Sequence, residues 1–397
     1  MQAEAEPGER FPHGTILVLG IITIAAYGAW FYAFGVLLDP ILVDTGWSET
    51  GLAATFSISA ALGALGAVPA GRFVDRYSSR PAFLLAAGAG MAGIWFASYA
   101  DSLLAFAVGA IVAGASLQGL SFYHITQATS VRVAPGQPTK AIALLTIYGA
   151  FSSAIYLPLA AFLVTEVGWR QTMRLLATLT AVVLVVGAFV VRERRPSTRT
   201  RATPGFGLAF GKPAAKRYVI ASALTGFGVG VMLVYQVPLM TAAGLSVGTA
   251  AWMAGARGAA QITGRIPLTF IVDRIGPRAA VQMSFAAITM AVVVLAFAGN
   301  VAVALVYVAI AGFGIGAASP LQGIYGTELF DEAHLGASMG VITMVFGLAN
   351  AVGPTIVGLL AEVSGSRWWG VALVATAGLV AVATMSAPSQ PEAVEQP

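Results

Sequence analysis

The chain is a succession of apolar runs, each about the length an α-helix needs to cross a bilayer core, roughly 20 residues. Twelve such runs are predicted, over residues 15–38, 50–71, 81–100, 102–129, 139–164, 170–191, 217–241, 247–272, 279–298, 301–327, 336–361 and 367–386. Hydrocarbon offers no water to satisfy backbone N–H and C=O groups. An open-ended chain therefore crosses as helices, and the pattern predicts an all-α membrane bundle. Composition agrees, since 58% of the 397 residues are hydrophobic and 10% are charged, against about 25% charged in soluble domains. A water-soluble chain of this size cannot hide that much apolar surface.

The same composition excludes several chemistries. There is no cysteine, and the three histidines, His13, His124 and His334, have no metal-ligand spacing, so neither a disulfide nor a metal or other cofactor is expected. The net charge of +4 does not mark a nucleic-acid face, because the basic residues sit in short turns between apolar runs. Arg72, Arg76, Arg80, Arg132, Lys140, Arg274, Arg278 and the cluster from Arg192 to Arg217 share one side, and Arg170, Arg174 and Arg367 occupy the other. This asymmetry predicts an inner-membrane protein with both termini cytoplasmic. The start, MQAEAEPGERFPHG, lacks the basic region and cleavage site of a signal peptide. Gly226-x-x-x-Gly230, Gly312-x-x-x-Gly316 and Gly336-x-x-x-Gly340 predict close helix–helix approaches. Gly88-Ala89-Gly90-Met91-Ala92-Gly93 fits a dinucleotide fingerprint in letters only, since it lies inside an apolar run with no preceding strand. Gly211-Lys212 lacks the phosphate-loop pattern, with Phe206 at the first glycine position and Pro213 after the lysine. No ATP-driven pump and no enzyme is expected.

The one long connection, residues 192–216, is basic and broken by Pro196, Pro204 and Pro213. It reads as a linker between a six-helix half at 1–191 and a second at 217–397. The halves repeat. Asp75-Arg76-x-x-x-Arg80 recurs as Asp273-Arg274-x-x-x-Arg278 at an offset of 198 residues, and Pro158 and Glu166 recur as Pro354 and Glu362 at an offset of 196. Duplicated halves predict a site near mid-membrane at their interface, with access alternating as the halves rock.

Gly71-Arg72-Phe73-Val74-Asp75-Arg76-Tyr77-Ser78-Ser79-Arg80 resembles the helix 2–3 loop signature of the major facilitator superfamily, with Ser78 where the signature has glycine. Asp273-Arg274-Ile275-Gly276-Pro277-Arg278 keeps the glycine. The resemblance covers the whole chain and implies twelve helices in two pseudo-symmetric halves. A narrower likeness, to the monocarboxylate porter and oxalate/formate antiporter branch, rests on Tyr27-Gly28 with Phe34-Gly35-Val36, on Gly46-Trp47-Ser48, on Glu166-Val167-Gly168-Trp169-Arg170, and on Gly264-Arg265 eight residues before Asp273-Arg274. By position, Arg265 corresponds to that branch's helix 8 arginine. The eleventh run carries no lysine to complete a dicarboxylate pair.

The eighth run carries the chemistry. At 1.5 Å per residue, Arg257 lies about 15 Å from its outer end and Arg265 about 12 Å from Asp273, both inside the bilayer core. Gln261 lies between them on one polar stripe. A cation at that depth costs several kcal/mol and faces a cavity or a partner. Acidic residues fall at helix ends, loops and tails, Asp39 and Glu328 coming closest to helix interiors. An anionic substrate is therefore expected to supply the counter-charge, since a guanidinium fork suits a carboxylate. The resemblance implies a cavity lined by helices 1, 4, 7 and 10, with Tyr27, Trp30, Tyr32, Gln118, Tyr123, Tyr235, Gln236, Gln322 and Tyr325 as candidate liners and Asn350 in the eleventh run beside them. His124 is a candidate proton relay. Asp75, Arg76, Arg80, Asp273, Arg274 and Arg278 are expected to act in gating. The resulting expectation is a monomeric secondary carrier for a small organic anion, with proton symport, exchange against a counter-transported anion and uniport all open. A neutral-compound exporter of the same fold and a non-transporting sensor are the alternatives.

Overall fold

The computed structural model describes residues 11–193, 212–329 and 332–386. The chain forms α1 (His13–Thr45), α2 (Glu49–Tyr77), α3 (Ser79–Ser98), α4 (Leu103–Val133), then α5 and α6 as one stretch, Pro138–Val190, divided at Gly168. The second half holds α7 (Pro213–Ala242), then α8, which comprises Val247–Ala259, Ile262–Arg265 and the start of Leu268–Ala296. Gly276 divides that last stretch, and α9 follows it. Then come α10 (Val301–Leu329), α11 (Glu332–Ser364) and α12 (Trp368–Ser386). No strand occurs among the described residues. Each of the twelve apolar runs corresponds to one helix. Large apolar side chains on the outside, such as Phe162, Phe189, Trp369 and Leu379, are exposed, as a lipid-facing surface requires.

The duplication is written into the turns. Gly46 and Gly244, 198 residues apart, both have positive φ after the first helix of their half, and Gly168 and Gly365, 197 apart, do so after the fifth. Ser48 and Ser246, again 198 apart, cap α2 and α8 by accepting the N–H of Gly51 and of Thr249. Between the second and third helices of each half the chain turns at Ser78 (φ 79°) and at Gly276 (φ 78°). The last arginine of the repeated motif also has an equivalent use in both halves. Arg80 lies 4.3 Å from the ring centre of Phe189, while Arg278 donates from Nε and Nη2 to the carbonyl of Met385 at 3.0 and 2.6 Å. Phe189 and Met385 are 196 residues apart, so each arginine ties the second–third turn to the end of its half's sixth helix, where a cation complements the helix dipole.

The halves meet along α2 against α11, α5 against α8, and α1 against α7. Because α2 and α8 are repeat partners, as are α5 and α11, the first two seams are equivalent surfaces. They are built differently. At the end opposite the linker, Glu362 of α11 accepts from the backbone N–H (2.9 Å) and hydroxyl (2.7 Å) of Thr50. Beside it, Arg367 binds Asp39 at 2.6 Å and Glu49 at 3.0 Å. Burial opposes the Arg367 charge, but hydrogen bonds and charge from Asp39 and Glu49 outweigh it and raise its pKa above the usual arginine value. The α5–α8 seam has no ion pair among the described residues. It closes through small residues, Gly255 and Gly258 lying on Ala150, Ser153 and Ala154. Toward the linker, positions 66 and 71 of α2 and 347 of α11 face open space.

Within the second half, α7 and α11 approach so closely that a Cβ on Gly230 would lie 1.9 Å from the Asn350 carbonyl oxygen. This is the close approach expected of the first glycine pair. Gly312 and Gly316 of α10 likewise lie on Ala260 and Gln261 of α8. The packing of the third pair, Gly336 and Gly340, lies outside what the structure describes.

Candidate functional site

Three helices that face the interface break their regular winding. In α1, residues Gly28–Tyr32 form a π-turn closed by the Ala33 N–H on the Gly28 carbonyl at 3.1 Å. Gly28 is required there, because a Cβ would fall 2.1 Å from the Tyr156 ring. In α4, Phe122 adopts extended geometry (φ −77°, ψ −178°) between two helical pieces. In α8, Thr263 and Gly264 donate to Ala260 and Gln261, an i→i−3 pattern, and Pro267 adds a second interruption. The polar stripe over 257, 261 and 265 was expected to drift gradually around the axis, as an ideal helix does. The tighter turn carries Arg265 further around the axis than an ideal helix does.

Arg257 is 1% exposed. Its Nε donates to Gln236 Oε1 of α7 at 3.0 Å, and the same oxygen accepts from the Tyr307 hydroxyl of α10 at 2.8 Å. Gln236 Nε2 donates to the Leu233 carbonyl at 3.3 Å. Both lone pairs of the amide oxygen are thus used, which fixes the guanidinium. Its Nη2 is buried with no hydrogen-bond partner. Among the described residues neither Arg257 nor Arg265 has a carboxylate partner, because Asp39 is taken by Arg367 and Glu328 lies at the linker end. A buried charge with an open donor is expensive to keep. Tyr307 was not anticipated. It lies in an apolar run with no polar neighbour in sequence to mark it.

Tyr32 of α1 is an electrostatic neighbour of Arg257, and Tyr123 of α4 is one of Arg265. Tyr27 stacks on Phe122 at 3.6 Å and lies 5.3 Å from Tyr123. The structure thus brings Arg257, Gln236, Tyr27, Tyr32, Tyr123 and Arg265 toward one interface. Arg265 makes no hydrogen bond or ion pair among the described residues and is half-buried. The Gln118 amide nitrogen is buried without a partner, against Gly63 of α2.

Other candidates lie elsewhere. Trp30 is buried among Phe34, Phe56 and Phe106 and donates to Ser59, so its ring and its N–H are both used in the core. Tyr235 donates to the Pro354 carbonyl and sits under Arg367, which places it in the closed end. Tyr325 packs edge-on against Tyr218 and lines a separate cavity of about 200 Å³ with Arg217, Arg278 and Glu328. Gln322 donates to Thr343, joining α10 to α11. Asn350 presents its backbone to Gly230. Gln261 contributes its backbone to the α10 contact. His124 Nε2 lies 2.8 Å from the Gly119 carbonyl, a geometry in which the nitrogen donates to an oxygen freed by the α4 break.

At the linker end, Arg76 lies over Tyr77 and Arg274 over Phe270, each on its own helix. Asp273 is exposed, and the Asp75 side chain lies outside the described residues. Glu193 instead organises this end, pairing with Arg132 at 3.3 Å and accepting the Ser79 N–H.

A sequence profile described as Major Facilitator Superfamily matches residues 19–248 and 218–396. A curated relative from Pseudomonas aeruginosa, transcription regulatory protein OpdE, is 24% identical over 379 residues, covering 91% of this chain and 90% of its own. Among solved structures, nucleoside transporter NupG superposes with a TM-score of 0.79 at 13% identity, covering 94% of this chain and 98% of its own. A D-xylose–proton symporter superposes with a TM-score of 0.74 at 15% identity, covering 96% and 99%. The chain is a multi-pass membrane protein that belongs to the Major Facilitator Superfamily.

Proposed function

We propose that this chain is a secondary active carrier of a small organic anion, a monocarboxylate, moved by alternating access of the halves 1–191 and 217–397. Superfamily membership supports transport of a small molecule in general. The anion reading rests on one observation, the buried Arg257 guanidinium held by Gln236 with Nη2 open and no carboxylate beside it among the described residues. A carboxylate oxygen on Nη2 completes that fork. Arg265, half-buried toward the linker end, is a second attracting charge along the same cleft. The Arg367 and Glu362 latches lie at the end opposite the linker, so on this reading the substrate reaches Arg257 from the linker side. The arginine asymmetry of the loops makes that side cytoplasmic, with the protein in the inner membrane.

The test is uptake of labelled mono- and dicarboxylates by proteoliposomes, with and without a pH gradient, comparing wild type with Arg257→Gln and Arg265→Gln. Loss of carboxylate flux in Arg257→Gln is expected, and the gradient arm separates proton symport from anion exchange. Unchanged flux in both variants defeats the reading. The name of the Pseudomonas relative favours a second reading, a membrane sensor that binds the same anion without moving it. Saturable binding without accumulation identifies that case.

A further inference from the structure

The breaks in α1 and α4 gather an aromatic cluster. Tyr27, Phe31 and Tyr32 come from the π-turn region of α1, and Phe122 and Tyr123 from the break in α4. Tyr27 and Phe122 lie nearly parallel, 20° apart, with centres 3.6 Å apart. Phe31 stands edge-on to both, at 5.7 Å and 5.9 Å. Tyr27, Phe31, Tyr32 and Tyr123 are all half-buried, so faces or edges of these rings remain open inside the bundle. Tyr32 makes no hydrogen bond among the described residues and lies in the field of Arg257.

The two sides of the cleft therefore ask for different things. The second half offers a fixed guanidinium with one open donor. The first half offers ring faces and edges, and no charged side chain among the residues that form this cluster. A small hydrated acid uses the first and wastes the second. A polyhydroxyl compound uses neither well. A planar apolar body of one ring, attached to one carboxylate, uses both.

We propose that the bound anion is an aryl monocarboxylate of the benzoate or phenylacetate type, its carboxylate on Arg257 and its ring against the Tyr27–Phe122–Tyr123 wall. This rests on the anion reading above. One carboxylate is assigned because Arg257 is the one arginine in the cleft with a buried open donor among the described residues.

The test is calorimetric titration of the purified protein with benzoate, phenylacetate, cyclohexanecarboxylate, acetate and benzamide. It compares wild type, Arg257→Gln, Tyr27→Leu and Phe122→Leu, each checked for a cooperative thermal transition. Benzoate or phenylacetate is expected to bind at least about tenfold more tightly than acetate or benzamide. Tyr27→Leu or Phe122→Leu is expected to weaken the aryl acids about three- to tenfold and to leave acetate unchanged. Equal affinity for acetate, or for cyclohexanecarboxylate, overturns the aromatic assignment while loss of binding in Arg257→Gln keeps the anion reading. Benzamide binding as tightly as benzoate, with Arg257→Gln silent, overturns both, as does the absence of binding by every compound.

Discussion

Ser78 stands at φ 79°, ψ 171°, a region that is essentially glycine's own and costs other residues about 1–3 kcal/mol. Its repeat partner Gly276 adopts φ 78°, ψ 158°, so the fold demands this backbone twice and supplies glycine once. Ser78→Gly removes that cost. It also adds roughly 0.5–1 kcal/mol of unfolded-chain entropy, and the net gain is about 0.5–2 kcal/mol. The serine hydroxyl caps nothing, since no side-chain hydrogen bond forms at this helix start, so little is lost. Gly276→Ser is the mirror experiment. No atom lies within 4 Å of where its Cβ would go, so any loss there is backbone strain and not collision. Thermal unfolding in detergent, followed by tryptophan fluorescence, is expected to rise by about 1–4 °C for Ser78→Gly and to fall by a comparable or larger amount for Gly276→Ser. A midpoint unmoved by either change would show that the turn relaxes into ordinary geometry, and the strain argument would be wrong.

Three further outcomes are expected. Gln236→Leu removes the acceptor from a buried guanidinium and should destabilise by about 1.5–3 kcal/mol in a denaturant titration while weakening anion binding, with Tyr307→Phe milder because only one donor is lost. Arg367→Gln leaves Asp39 and Glu49 without their cation, and after solvent screening about 1 kcal/mol, a roughly fivefold shift in population, should favour separation of the closed end. Spin labels on cysteines placed at the exposed Val43 and Val363 of this cysteine-free chain read that as a longer distance population. Gly230→Ala drives a methyl group into the Asn350 carbonyl and should cost at least about 1–3 kcal/mol, seen as a lowered melting midpoint.

The helices were legible because lipid imposes one length and one composition on every span, and the repeat because Asp75 and Asp273 kept their neighbours. Arg257 was visible as a charge at forbidden depth. What held it was half visible. Gln236 is a polar residue in an apolar run, but Tyr307 looks like any membrane aromatic until α10 is folded against α7. The latch of Arg367 on Asp39 and Glu49 joins residues 328 and 318 positions apart, a distance no local pattern spans. Trp30 and Tyr325 misled because aromatic identity says nothing about which face of a helix looks inward. Winding defects in α1, α4 and α8 were equally silent, as their causes are tertiary, such as the Tyr156 ring pressed on Gly28.

The two equivalent seams of the closed end carry unequal fastenings. On the α2–α11 side, formal charges and hydrogen bonds reach across. On the α5–α8 side, glycines pack on alanine, serine and proline, with no ion pair among the described residues. Dissolved ions weaken the first and leave the second alone, so electrolyte loosens one edge before the other. Opening of this end is therefore expected to begin at the α2–α11 edge, beside Arg367, and to swing about the α5–α8 edge like a door about its jamb.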